Sequence, residues 1–124
     1  MRWVALDIVL AIHKRLIAEH GGQDGVRDIG LLESALMRPR NILAYDIAAD
    51  IASLGAAYAF GIARNHPFLD GNKRTALSVM RTFLILNGSD IKATQEEKYL
   101  TIMDLAAGNV TEAALVTWIR SHVA

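Results

Sequence analysis

Cysteine is absent from all 124 residues. That excludes disulfides, thiolate metal sites and a cysteine nucleophile, and fits a reducing, cytoplasmic setting. Net charge is absent too: thirteen Lys plus Arg face thirteen Asp plus Glu. With no global field to gather the molecule onto a polyanion or an anionic bilayer, neither a nucleic acid nor a membrane is an expected partner. Long apolar runs are missing as well. The longest uncharged stretch, Ile51 to Ala63, falls short of the roughly 20 residues that span a bilayer. Met1 to Asp7 meets a charge before an apolar run develops, so no signal peptide is expected. Aromatic residues make up 6% of the chain and form no stripe interleaved with basic residues. Trp3 and Trp118 accordingly read as packing residues. What the chain does have is 52% hydrophobic residues, enough at this length to bury a real core, and residues 1–124 are expected to form one domain.

The apolar residues recur at helical spacing. Leu6, Val9, Ile12 and Leu16 define a first helix, ended by a left-handed cap at Gly21-Gly22. A short second helix follows Asp28, with Leu31, Leu32, Ala35 and Leu36 on one face, and Pro39 is expected to stop it. Pro39 to Tyr45 then reads as an extended flap, the one β element expected. Asp46 to Asn65 reads as a central buried helix in which Gly55 and Gly61 admit close neighbours. A further helix runs from about Gly71 to Leu86 and ends at Asn87-Gly88. Thr94 with Glu97 spells a capping box, and Thr111 caps a last helix bearing Leu115, Trp118, Ile119 and His122 on one stripe. The fold class is therefore all-α, a compact helical bundle with a short β-like flap.

Most of the chemistry lies between His66 and Ala76, in the run His-Pro-Phe-Leu-Asp-Gly-Asn-Lys-Arg-Thr-Ala. A loop that enters a helix at Gly71 leaves backbone N–H groups unpaired at the positive end of the helix dipole, where anions bind. Gly71 is expected to let phosphate oxygens approach the main chain, and Asn72 to add an amide donor. Lys73 contributes a point cation and Arg74 a planar fork for two oxygens. Asp70 would reach the mouth of the same pocket and hold Mg²⁺ against phosphate oxygens. His66 is the candidate general base, since a neutral imidazole accepts a hydroxyl proton. Pro67 and Phe68 read as mechanical parts, Phe68 buried as an anchor with Leu69 packed beside it. Each residue alone has a bland reading, as a cap, a turn or a solvated first turn; the assembled run is specific. Outside it, His13 reads as a satisfied core histidine and His20 as a helix-end residue. Arg64 reads either as a phosphate or partner contact or as a salt bridge, and stays outside the catalytic set.

This run resembles the signature of the Fic superfamily, a His-Pro-Phe loop followed by Gly-Asn-Gly-Arg. Lys73 stands where most members carry the last glycine, and Leu77 stands where a second Arg usually follows. Both departures resemble the Doc (death-on-curing) branch, as do Gly21-Gly22 and the run Arg27 to Leu36, so the similarity spans most of the chain. The resemblance implies a Fic-type helical fold and a toxin that is a protein kinase. Its cofactors would be ATP and Mg²⁺. Its γ-phosphate would pass to a threonine hydroxyl of elongation factor Tu, halting translation. It implies His66 as base, Asp70 as metal ligand, and Gly71, Asn72, Lys73 and Arg74 around the triphosphate. No self-inhibitory Ser/Thr-to-Glu motif is visible, so restraint is expected from a Phd-like antitoxin whose disordered tail folds on the toxin. The flap would hold the target segment. Two other readings compete: a Fic-type adenylyltransferase moving AMP, and a non-catalytic inhibitor that blocks translation by occupancy.

Overall fold

The computed structural model describes residues 1–123 as six helices packed on one core: α1 (Leu6–His20), α2 (Ile29–Tyr45), α3 (Ile51–Asn65), α4 (Asn72–Leu86), α5 (Gln95–Ala107) and α6 (Glu112–His122). No helix among these residues is long and apolar enough to cross a membrane.

α3 is the axis, touching α2, α4, α5 and α6. It is apolar on all sides, and Leu54, Ala56, Ala57, Tyr58, Ala59, Ile62 and Ala63 have no exposed surface. Such a helix is held by its neighbours rather than by an amphipathic stripe. Its two glycines set the spacing. A Cβ at Gly61 would lie 3.0 Å from Ala35 Cβ on α2, and one at Gly55 would lie 3.3 Å from Leu84 on α4. At Gly61 the α2 backbone, with Ala35 Cα 3.1 Å from that Cβ position, sits closer than an alanine would accept, while at Gly55 it is the Leu84 side chain that fills the space.

Short-range chemistry explains where most helices begin. Asp28 accepts from Leu31 N–H, Asp50 from Ser53 N–H and Thr111 from Ala114 N–H. Thr94 and Glu97 form the reciprocal capping box that the sequence spells.

Three expectations are corrected. α2 does not stop at Pro39: it runs through it to Tyr45, and the expected flap at 39–45 is helix. The missing N–H of a mid-helix proline costs roughly 3 kcal/mol. Here Pro39 is itself buried, and Ile42 and Leu43 pack on the core one turn further on, so the apolar spacing begun by Leu32, Ala35 and Leu36 continues. Core burial at about 1.5–3 kcal/mol per large side chain outweighs the defect. Second, α3 starts at Ile51 rather than Asp46, which instead terminates α2 by giving its N–H to Ile42. Third, Gly21 has φ 80° but ψ 178°, so α1 ends in an extended glycine rather than in a left-handed cap.

The extended pairing among the described residues lies elsewhere. Val26 forms an antiparallel bridge with Phe68, and Ile91 with Val123. The first of these bridges borders the signature loop.

Candidate active site

The signature loop connects α3 to α4 and is strapped along its length by the segment between α1 and α2. The Arg27 guanidinium donates to the carbonyls of His66 at 2.7 Å and Asn65 at 2.9 Å. The N–H groups of Arg27 and Asp28 both reach Pro67 O, and Leu69 N–H reaches Gly25 O. Gln23 N–H donates to Asp70 Oδ2 at 2.9 Å. Gly21, Gly22 and Gly25 all have positive φ, and a Cβ at Gly22 would lie 3.2 Å from Asp70 Cβ. Glycine is what allows two irregular backbones to lie this close.

His66 is exposed and sits in left-handed conformation, φ 49° and ψ 54°, the only non-glycine residue with positive φ among those described. That geometry costs on the order of 1–3 kcal/mol and persists only when surrounding contacts impose it. Arg27 supplies those contacts, on the carbonyls either side of the His66 amide. Below the ring, Pro67 is buried and Phe68 is 1% exposed, as the sequence suggests. Leu69 is not packed as expected; it is 44% exposed and lies over Gly25.

α4 begins differently from α2, α3, α5 and α6, each of which starts with a side-chain cap. Its N-cap is Gly71, φ 76° and ψ 19°, with no side-chain bond, so the N–H groups of Asn72, Lys73 and Arg74 face the loop without intrahelical partners. Two residues do other work than expected. A Cβ at Gly71 would point inward, 3.2 Å from Ile17 and 3.7 Å from the His13 ring, so the glycine serves its φ and its packing on α1 rather than an approach by an outside oxygen. Asn72 is 7% exposed and its amide is turned inward: Oδ1 accepts from Phe68 N–H at 2.9 Å and Nδ2 donates to Phe68 O at 3.0 Å. Its Nδ2 also comes within 3.4 Å of His66 Nδ1, at the outer limit of a hydrogen bond; with its second hydrogen the amide can only donate there, which favours the proton of a neutral His66 ring on Nε2. Asn72 brings to the cleft its main-chain N–H, not its side chain.

His66, Leu69, Asp70, Gly71, Asn72, Lys73 and Arg74 line one cleft of about 280 Å³, and its remaining wall is Tyr99 of α5. The Arg74 guanidinium lies 5.2 Å from the Tyr99 ring centre, a cation–π contact worth about 0.5–1 kcal/mol that fixes the fork. The sequence does not single out Tyr99; no local signal connects it with a loop some thirty residues earlier. Sequence reasoning likewise missed Arg27, whose run was noticed only as part of a resemblance. Arg64 stands apart, stacked 5.6 Å from Phe60 rather than lining the cleft.

A base, a carboxylate, two cations and an open helix N-terminus thus converge on one concave surface, an arrangement suited to binding phosphate and moving a proton beside it. Comparison with known proteins identifies the family. The model of the Fic/DOC family matches residues 3–84, covering α1 through most of α4. The chain is 32% identical over 120 residues to "Protein kinase doc" of Escherichia phage P1, covering 97% of this chain and 94% of that protein. It is 42% identical over 74 residues to "Toxin Doc" of Mycolicibacterium smegmatis, covering 59% of this chain and 57% of that one. The match of both the loop-bearing region and nearly the whole length establishes that the chain belongs to the Fic/DOC family.

Proposed function

We propose that the protein is the toxin of a toxin–antitoxin pair and acts as a protein kinase, moving the γ-phosphate of ATP to a threonine hydroxyl of elongation factor Tu. The observation that carries this reading is the cleft in which His66, Asp70, Lys73 and Arg74 meet the uncapped start of α4. The near full-length similarity to a relative named as a kinase supports it.

The residues fit a magnesium ion. Gln23 N–H engages Asp70 Oδ2, which leaves Oδ1 for the ion; no group of three or more His, Asp or Glu that could hold a metal is gathered among the described residues, so Asp70 would be the one carboxylate it contacts. Magnesium takes one or two protein carboxylates and completes its shell with phosphate oxygens and water. Held by Asp70, it would neutralise charge on the phosphate oxygens. The chain's own groups do the rest. The N–H groups of Asn72, Lys73 and Arg74 would receive phosphate oxygens, while the Lys73 and Arg74 side chains balance their charge. His66 takes the proton of the threonine hydroxyl, and that oxygen bonds to the γ-phosphorus. The bond from that phosphorus to the bridging oxygen breaks, ADP leaves, and the proton returns to solvent. Lys73 in place of the glycine, and Leu77 in place of the second Arg, favour this over AMP transfer.

Regulation would come from a Phd-like antitoxin. A second cleft of about 330 Å³ shares Arg74 and Tyr99 with the first; its lining includes Leu16, Leu77, Lys98 and Arg81, the last paired with Asp90, and one acidic residue, Glu96. An amphipathic helix with acidic residues suits such an apolar and cationic floor. Seated there, it would press on Arg74.

Intact-mass and phosphopeptide spectrometry of elongation factor Tu, incubated with the protein, ATP and Mg²⁺, tests the reading. One phosphate on a threonine, absent with His66→Ala, is the expected result. An AMP adduct would make the protein an adenylyltransferase. Toxicity retained by His66→Ala with no adduct would make it an inhibitor by occupancy.

A further inference from the structure

We infer that His13 is a positioning residue for Asp70: its ring fixes the peptide from which the magnesium-binding carboxylate projects. The inference rests on the kinase reading of the same site.

His13 lies in the middle of α1 and is 2% exposed. A core histidine needs only some partner for its polar atoms, and many backbone groups would serve. This one bonds the loop. Nε2 is 2.8 Å from Asp70 O. A carbonyl oxygen can only accept, so Nε2 carries the hydrogen and the tautomer is fixed by the contact itself. Nδ1 lies 3.8 Å from Asp24 Oδ1, beyond hydrogen-bond reach, which leaves the bond to Asp70 as the ring's direct one.

The ring's plane is also set. It stacks on Phe68 with centroids 3.8 Å apart and planes 8° from parallel, and Gly71 lies beside it, where a Cβ would be in ordinary contact at 3.7 Å from both Cδ2 and Nε2. Three loop residues, Phe68, Asp70 and Gly71, therefore take their position from one imidazole. Asp70 is held at two points, its carbonyl by His13 and its Oδ2 by Gln23 N–H. With both ends pinned, the free oxygen Oδ1 has a single direction, which is what preorganised metal binding requires. Unpinning the carbonyl lets the Asp70 peptide rotate and scatters that direction.

The test separates donation from packing. His13→Met fills the volume without an N–H, whereas His13→Gln keeps an N–H at nearly the same reach. Mn²⁺ affinity in the presence of ADP, read by electron paramagnetic resonance, is expected to fall at least about tenfold in His13→Met, within the range for loss of a group supporting a ligand. His13→Gln should recover most of it. In turnover the loss should appear in the Mg²⁺ concentration needed, with kcat at saturating Mg²⁺ largely kept. Wild-type affinity in a folded His13→Met protein would overturn the proposal, as would equal loss in both variants, which would indicate packing alone. Ring ¹⁵N correlation spectra of the wild type give a measurement that needs no variant: a slowly exchanging proton on Nε2 is expected, and a neutral ring protonated on Nδ1 would overturn the proposal. A wild type that binds Mn²⁺ and ADP not at all would overturn the kinase reading, and the proposal with it.

Discussion

The two connections that flank α2 have similar ends and opposite fates. Residues 21–28 and 46–50 each follow a helix whose last N–H bonds back one turn, and each closes on an aspartate N-cap. The first lies against the loop from Asn65 to Asp70 through Arg27, Pro67, Gly25 and Gln23. The second turns outward, leaving Tyr45 96% and Ile47 93% exposed. Three positive-φ glycines in the first, and none in the second, account for the difference. A connection whose glycines leave out the Cβ where two backbones meet can serve as a template for another segment, and here it templates the site.

That contrast can be tested from its strongest point to its weakest. Arg27→Ala removes two charge-assisted hydrogen bonds to carbonyls, each worth about 1.5–3 kcal/mol, and frees the strained His66 backbone. Phosphate transfer should fall by roughly ten- to a hundredfold at a single cleft-remote position. Kinetics at saturating ATP measure it, and an unchanged rate would mean the strap is ornamental. Gly71→Ala comes next: left-handed φ costs a Cβ residue about 1–2 kcal/mol, with a contact against Ile17 added. Urea denaturation should show that loss in full.

The outward connection should respond less. Asp50, which closes it, is held at a pKa of about 2, first by its hydrogen bond to Arg120. Its folded pKa lies below the unfolded one, so the pair's contribution is complete above about pH 4 and disappears as pH falls toward 2. The pair is well exposed, so Arg120→Ala should cost little near neutral pH and nothing once the pH is well below 2. Melting curves across that window check the sign. Ile47→Ser should change stability by less than about 0.5 kcal/mol; a larger loss would show that the protruding residue packs on something.

What the sequence conveys well is local. The caps at Asp28, Thr94 and Thr111 need only a side chain and an N–H three residues on, and all three stand where they read. The burial of Phe68 and the crowding at Gly61 follow from apolar spacing in the same way. What it conveys poorly depends on a partner distant in the chain. Pro39 looks like a stop until α3 is there to reward residues beyond it. Asn72 looks like a donor to an anion until its amide is seen to close on Phe68. Arg27, His13 and Tyr99 each touch the loop from another element, and no spacing rule links them to it. The eleven-residue signature supplies most of the cleft's lining, while the groups that hold that lining in place come from α1, the strap and α5.

The strap also dictates when the site can exist. Its bonds join residues 38, 39 and 47 positions apart, so none forms from local structure and each requires α2 and α3 to be folded between its ends. Long-range closures of this kind come late in folding, after their entropy cost can be met by packing. His66 therefore acquires its strained geometry only as the assembly finishes. An unfinished chain leaving the ribosome carries the signature but not the assembled cleft, so the loop residues can act together only once the whole chain has folded.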